Sequence, residues 1–418
     1  PGSKADNFII QGDASGRTLL QVANTNSGGG AFNPQGIPVA FVDGDVKSNA
    51  FYLDKPIDAG FFNYDLFFVP TGSGFFELRS HPGAGSHVLP RLITASHDVF
   101  HTSTETWLDR TADLRVLLNG AAPIQPGAVT ATGEPVPTTF VPAIWAKGQG
   151  TWLNQEDKGK STSFGRTYRY DLERDLSVMN FETGIDMGQE DVLASGDMLV
   201  FGLLGGAVLA SLDYNNVARH FDIEGGEVGA YATYLRGGLF VDSLLKAHFL
   251  DIETATRGFP GSIDSTTWGI RTDAGYRFGS FSRGPFVEPL ATIAFSQNEL
   301  DDFTIDGNYV DFDNETNVRG RLGLRVGTSS EAWEGTLFEP FLIASLWGNL
   351  SGEHNVSLTS SGRTFEFVDE PDDVWGVLSG GVNFFNPGAQ TAVFAKADVT
   401  VGEETDGISV KGGMRYNW

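Results

Sequence analysis

Cysteine is absent from the 418 residues, which excludes disulfides, thiolate metal sites and cysteine nucleophiles together. Cations are scarce: 28 lysines and arginines stand against 53 carboxylates, for a formal net charge of −25. A surface this acidic repels phosphate backbones, so nucleic acid is not an expected partner. No apolar run is long enough for a helical membrane crossing, since the most apolar stretch, Met198 to Leu212, falls short of the roughly 20 residues required. Methionine is rare at 4, whereas glycine (53) and phenylalanine (32) are abundant, a balance that favours short strands and tight turns over packed helices. The membrane option that survives is a closed barrel of strands, whose alternation gives little hydropathy signal and suits a mean hydropathy of −0.13. The opening Pro1-Gly2-Ser3 reads as a processed end from which a signal peptide has been removed.

Three textures follow one another along the chain. From about Asp6 to Ser80, β-prone bursts such as NFIIQG, IPVAFVDG and FNYDLFFV are separated by Gly, Asn, Asp and Ser, which leaves the end of a parallel β-helix and an irregular β-sandwich both open. Glycine then disappears, and Pro90 to about Leu118 reads as one helix with proline in its first turn. That helix is unusually polar for a core element, carrying Arg91, His97, Asp98, His101, Glu105, Arg110 and Arg115 alongside Trp107. Asn119 to Pro142 holds five prolines and almost no charge, so it reads as an extended linker.

Beyond Ile144 the pattern is period-2 alternation to the last residue. Trp268, Ile270, Ala274, Tyr276 and Phe278 share one face, with Arg271, Asp273 and Arg277 on the other. Twelve such segments start near residues 144, 177, 197, 223, 238, 265, 285, 314, 335, 373, 389 and 406. An even count is what single-chain outer-membrane barrels show. The connections after odd-numbered segments are long and acidic, those after even-numbered ones are short, and only the last odd join breaks this rule. That parity orients a barrel with its long loops outside and both its ends in the periplasm.

The alternation assigns Asp242, Lys246, Arg271, Asp273, Arg277, Glu288, Arg319, Arg321, Arg325, Glu339, Lys396, Asp398, Lys411 and Arg415 to the inner face of this barrel. Collectively they predict a hydrated lumen able to hold a polar helix or a transiting chain. Individually each is equally consistent with a residue that only keeps the interior wet. Of seven histidines only His97 and His101 have i, i+4 spacing, and the glutamate of a zinc helix is missing after the first, so no metal site is expected. Nothing has the context of a nucleophile elbow or calls for a cofactor. Met414, Tyr416 and Trp418 end the last alternating segment, either as interface aromatics or as a recognition strand for insertion machinery.

In order, β-helix end, polar helix, barrel and terminal aromatic resemble the classical monomeric autotransporters of Gram-negative bacteria, the type V secretion family. DNFIIQGDASGRTLLQV, GIPVAFVDGD and FNYDLFFVPTGSGFFELRS resemble the last rungs of a pertactin-like passenger. HDVFHTSTETWLDRTADLR is similar to the family's pore-threading helix, and AIWAKGQGTWLN to its first barrel strand. The resemblance implies an all-β chain: autochaperone-like passenger rungs over 1–82, helix and linker over 83–142, and a 12-stranded antiparallel transmembrane barrel over 143–418. It implies a secretion module, not an enzyme, that places its own upstream passenger on the cell surface. Implied partners are outer-membrane lipid, the barrel-assembly machinery and periplasmic chaperones, with the barrel a monomer. His97, His101, Trp107, Arg110 and Arg115 would then lie in the pore, with Arg110 and Arg115 facing Glu288 or Glu339. The helix has no Asn-Asn pair, so the self-cleavage inside the barrel that some members perform is not expected. A porin-like channel with an N-terminal plug and a soluble all-β adhesin are the competing readings.

Overall fold

Alternating side chains build twelve long strands in this computed structural model, which describes residues 5–25, 28–70, 74–105, 141–280, 283–333, 335–386 and 389–417. They are β1 (Val141–Gln155), β2 (Arg174–Glu190), β3 (Asp197–Tyr214), β4 (His220–Arg236), β5 (Leu239–Glu253), β6 (Ser262–Tyr276), β7 (Gly284–Leu300), β8 (Glu315–Trp333), β9 (Thr336–Asn349), β10 (Val374–Asn386), β11 (Thr391–Val401) and β12 (Thr405–Asn417). Each pairs antiparallel with the next, as Leu176 with Leu212 or Thr272 with Ile293. The circle closes where β12 pairs with β1, placing Tyr416 opposite Ile144. Closure leaves no sheet edge in the wall, the condition for crossing hydrocarbon with strands. Every expected strand start lies within three residues of the observed one.

The wall is polar inside and apolar outside. Leu322 is 70% exposed and Leu203 61%, and such residues form the band that lipid covers. All the strands but β11, which has 11 residues, exceed the roughly 9–11 residues that a tilted crossing needs, so their outer ends rise above the hydrocarbon. Even-to-odd turns are short; between β4 and β5 only Gly237 and Gly238 intervene, and Gly237 adopts φ +55°, which glycine takes without steric cost.

The long outer connections, expected as loops, are themselves folded. Lys158–Ser163 pairs with Arg166–Asp171 as a hairpin between β1 and β2. Phe303–Ile305, Asn308–Phe312, His354–Ser360 and Arg363–Asp369 form a four-stranded antiparallel sheet from two different connections. Their alternation is too short, and their pairing too distant in sequence, to be recognised by period alone.

Residues 5–82 are a parallel β-helix end. Phe8–Ile10 runs parallel to residues 40–42, Ala14 bridges Val46, and Thr18–Leu19 runs parallel to Phe51–Tyr52, so one coil stacks on the next. The hairpin Phe62–Val69/Phe75–Pro82 then caps the stack antiparallel to Ile37–Val42. Ala40, Val42, Phe51, Phe76 and Leu78 fill its interior.

Among the described residues one helix, α1 (Ala84–Thr104), is present, and it is buried along its whole length. The expected start at Pro90 is six residues late: Gly83 is the N-cap and Pro90 lies inside the helix. Burial of every turn against the barrel outweighs the lost backbone hydrogen bond, a tertiary effect that proline position does not reveal. The expected linker is also too long at its end, because Pro142 pairs with Met187 within β1 and β2. Trp107, Arg110, Arg115, Trp418 and the linker up to residue 140 lie outside the described residues.

Candidate functional site: the helix in the barrel lumen

A 21-residue helix spans ~31 Å, enough to run from the outer mouth to about the middle of the wall, where Lys246 and Lys411 stand midway along β5 and β12. Its N-terminal half does not meet water. Val88, Leu89, Leu92 and Ile93 join Leu176, Val208, Leu212, Phe221 and Ile252 of the wall, Phe61 and Phe62 of the passenger-like unit, and Val310, Val356 and Phe367 of the outer sheet in one buried cluster. The expected hydrated lumen is therefore replaced at its outer end by a dry plug. The inward positions of the strand tips are apolar there because they meet the helix and the passenger end rather than solvent.

Charge holds the helix at three levels. At the mouth, Arg91 Nε donates to Asp157 Oδ2 at 2.6 Å and lies 3.4 Å from Asp369, while Arg174 reaches the same two carboxylates at 3.1 and 3.7 Å. One turn lower, Thr94 also donates to Asp369. In the middle, Asp98 accepts from Arg319 at 2.6 Å and from Gln155 at 2.9 Å. His97 Nδ1 and His101 Nε2 both meet Ser296 Oγ, at 2.9 and 3.0 Å, and His101 also meets Asn317. At the inner end, Gln149 donates to the Thr102 carbonyl, Lys246 donates to Ser103 Oγ at 2.9 Å, and Lys411 donates to Glu105 at 2.8 Å. Gly269 lets the wall approach the helix: a Cβ there would sit 2.8 Å from the Phe100 ring.

Of the fourteen inner-face candidates, Lys246, Arg319 and Lys411 touch the helix or Glu105, just beyond its end. Lys246 is wholly buried between Glu182 and Glu227, the latter 2.7 Å away, and Glu227 also contacts His248 at 2.9 Å. Lys411 and Lys396 share Asp398. The other candidates pair along the wall. Arg415 chelates Asp186, which also accepts from Tyr231; Arg277 and Arg325 share Glu339, with Glu288 3.9 Å from Arg325. Arg271 pairs with Asp273, Asp242 accepts from Thr233, and Arg321 donates to Ser345. The sequence reading did not single out Glu182, Glu227, His248, Asp157, Arg174 or Asp369. Parity places Glu182, Glu227 and His248 inside, yet their partnership depends on the register that aligns Glu182, Gly206, Glu227 and His248 across β2 to β5. Met414 and Tyr416 lie on the outward face of β12, 55% and 46% exposed.

The mouth quartet sets a pH limit. Burial acts to raise the Asp157 carboxyl, but Arg91 and Arg174 outweigh it and hold it at about 2, against an ordinary 3.8. A depressed carboxylate lends stability that is complete above the unfolded value and is lost as pH falls through the folded one. Protease accessibility of the mouth is thus expected to stay flat from pH 7 to about 4 and to rise between about pH 4 and 2. An Asp157→Asn variant is expected to be looser at neutral pH and to lose that rise.

Comparison with known proteins places this architecture. Residues 144–398 match the family model "Autotransporter beta-domain", and residues 1–66 match "Autochaperone Domain Type 1". The pertactin autotransporter of Bordetella parapertussis is 29% identical over 195 residues, 44% of this chain and 20% of the relative. The uncharacterized protein YuaQ of Escherichia coli is 24% identical over 365 residues, 77% of this chain and 24% of the relative. The chain thus spans about a fifth to a quarter of these relatives' length. Among solved structures, the transport unit of AIDA-I from Escherichia coli superposes with a TM-score of 0.52 at 14% identity, over 73% of this chain and 99% of that one.

Proposed function

The chain belongs to the autotransporter family, a secretion module of the outer membrane that displays its passenger on the surface, and from that premise we propose how its parts divide the work. Residues 1–82 are the last passenger rungs and fold outside. Residues 83–105 thread the barrel at the end of transport, and the strands from Val141 onward form the membrane wall. Lys246, Arg319 and Lys411 hold the threaded segment, while the remaining inner-face charges keep the wall polar until it arrives.

The observation that carries this reading is the single buried cluster shared by passenger end, helix, outer sheet and barrel wall. A chain emerging outward gains that apolar burial, at about 25 cal/mol per Å², only when its last rungs have reached the outer face. Folding there opposes backsliding without any energy carrier. Gel mobility of detergent-extracted protein is the first test. A monomer that resists SDS and shifts markedly on boiling is expected, together with surface accessibility of residues 1–82 to antibody in intact cells. Identical mobility with and without boiling, in protein soluble without detergent, overturns the reading.

Met414, Tyr416 and Trp418 serve, on this proposal, as the strand that the barrel-assembly machinery reads, with periplasmic chaperones delivering the chain to it. A Trp418→Ala variant is expected to leave several-fold less heat-modifiable barrel in the membrane fraction. Normal assembly of that variant removes the signal role.

A further inference from the structure

The external rim carries opposite charge on different strands. On the lipid-facing side of β2 to β6, carboxylates stand opposite carboxylates: Asp175 faces Asp213, Asp222 faces Glu253, and Asp251 faces Asp264. The hairpin between β1 and β2 reverses the sign. Lys160 lies opposite Arg169 and Lys158 opposite Asp171, and all four are exposed. Among the described residues neither lysine nor Arg169 has an ion-pair partner, although the chain as a whole is short of cations.

Parity fixes where these cations point. Odd-numbered Gly159 and Ser161 face inward, the first so close to His87 that a Cβ would sit 2.9 Å from its ring, the second donating to the Pro82 carbonyl. On the return strand Tyr168 and Tyr170 also face inward, donating to Asp65 and Pro82. Lys158, Lys160 and Arg169 therefore continue the outward stripe that begins with lipid-facing Trp152, 42% exposed on β1. Lys158 is six residues beyond Trp152, at most ~20 Å along the chain, which raises it from the level of that interface aromatic to that of the headgroups.

We propose that Lys158, Lys160 and Arg169 bind the phosphate groups of outer-leaflet lipid and pin this side of the rim to the membrane. The inner face of the hairpin is committed to the helix and the passenger end, so its outer face is the one presented to lipid. Phosphate is the anion these cations fit: strong acceptor oxygens, fixed charge, and abundance at that height. The proposal rests on the outward orientation of this barrel end. A Lys160→Cys variant, labelled in intact cells by a membrane-impermeant thiol reagent, tests that orientation separately, since the chain has no other cysteine.

The decisive experiment counts lipid A bound to the detergent-extracted full chain by native mass spectrometry, after the boiling shift has verified the barrel. The chain is expected to bind phosphorylated lipid A and to lose affinity roughly tenfold or more in the combined Lys158→Ala, Lys160→Ala, Arg169→Ala variant. Binding should persist in the charge-retaining Lys158→Arg, Lys160→Arg, Arg169→Lys variant and in Arg283→Ala, which removes an exposed cation at the opposite rim. Added salt should weaken it steeply. Equal binding by the alanine variant, or equal binding of dephosphorylated lipid A by the unaltered chain, overturns the proposal.

Discussion

A Lys246→Met variant is expected to destabilise the barrel by about 3–5 kcal/mol, the cost of breaking a buried ion pair from one side. Lys246 is fully buried, with Glu182 and Glu227 on either side and Ser103 of the helix above it. Its removal leaves two carboxylates facing one another in the wall, with Lys147 3.8 Å from Glu182 as a remaining cation. Methionine fills the volume, so lost packing contributes little and the deficit reports on charge. The measurement is the boiling temperature at which SDS mobility shifts, supplemented by urea unfolding followed through tryptophan fluorescence. A triple variant that also carries Glu182→Gln and Glu227→Gln is expected to recover most of the loss, because replacing all members of a buried cluster is far less costly than removing one. A Lys246→Met barrel as stable as the unaltered chain would mean that water reaches this cluster and screens it, and that the lumen is open at the level of Ser103.

The legibility of this chain divides along the same physical line. A strand with lipid on one side and lumen on the other has its faces fixed by solvent, so Leu322 and Arg321 declare their sides from spacing alone. Which inward residue meets which is a different matter. Lys246 meets Glu182 from β2 and Glu227 from β4 only because the registers of successive hairpins set Glu182, Gly206 and Glu227 in one row, and Arg319 meets Asp98 only because α1 is rotated and inserted to one depth. Neither quantity is written in any local period. The outer connections escaped for a related reason. His354–Ser360 pairs with Asn308–Phe312 across more than forty residues, and its apolar side chains are answered by a helix from the other end of the chain. The dry outer plug was invisible from the strands for the same reason. Leu176, Val208 and Ile252 gain their apolar partners only when the helix and the passenger end that cover them are in place.

That covering surface supplies the second large effect. Phe32, Phe62 and Phe365 form an aromatic triangle, with ring centroids 5.8 Å apart for Phe32–Phe62, 5.0 Å for Phe32–Phe365 and 5.5 Å for Phe62–Phe365. Two of its corners belong to the passenger-like unit and one to the outer sheet of the barrel. Backbone and hydroxyl contacts surround it: the Phe32 amide donates to Ser360 Oγ, and Ser361 Oγ donates to the Phe32 carbonyl. Phe62→Ala is expected to cost about 3–5 kcal/mol as a large-to-small change at a fully buried position. It should also increase the rate at which surface protease removes residues 1–82. Because Phe62 also packs on Phe32 within the passenger-like unit, that result alone does not separate passenger folding from docking. Phe365→Ala does, since it alters the barrel side and leaves the passenger sequence intact. If the outer sheet receives the emerging rungs, Phe365→Ala slows the appearance of folded passenger at the surface while barrel assembly, read by the boiling shift, is unchanged. The two substitutions should then couple by about 0.5–1.5 kcal/mol in a double-mutant cycle. Additive losses with normal display kinetics would confine the driving force to the β-helix itself and reduce the outer sheet to a resting place for a passenger that is already folded.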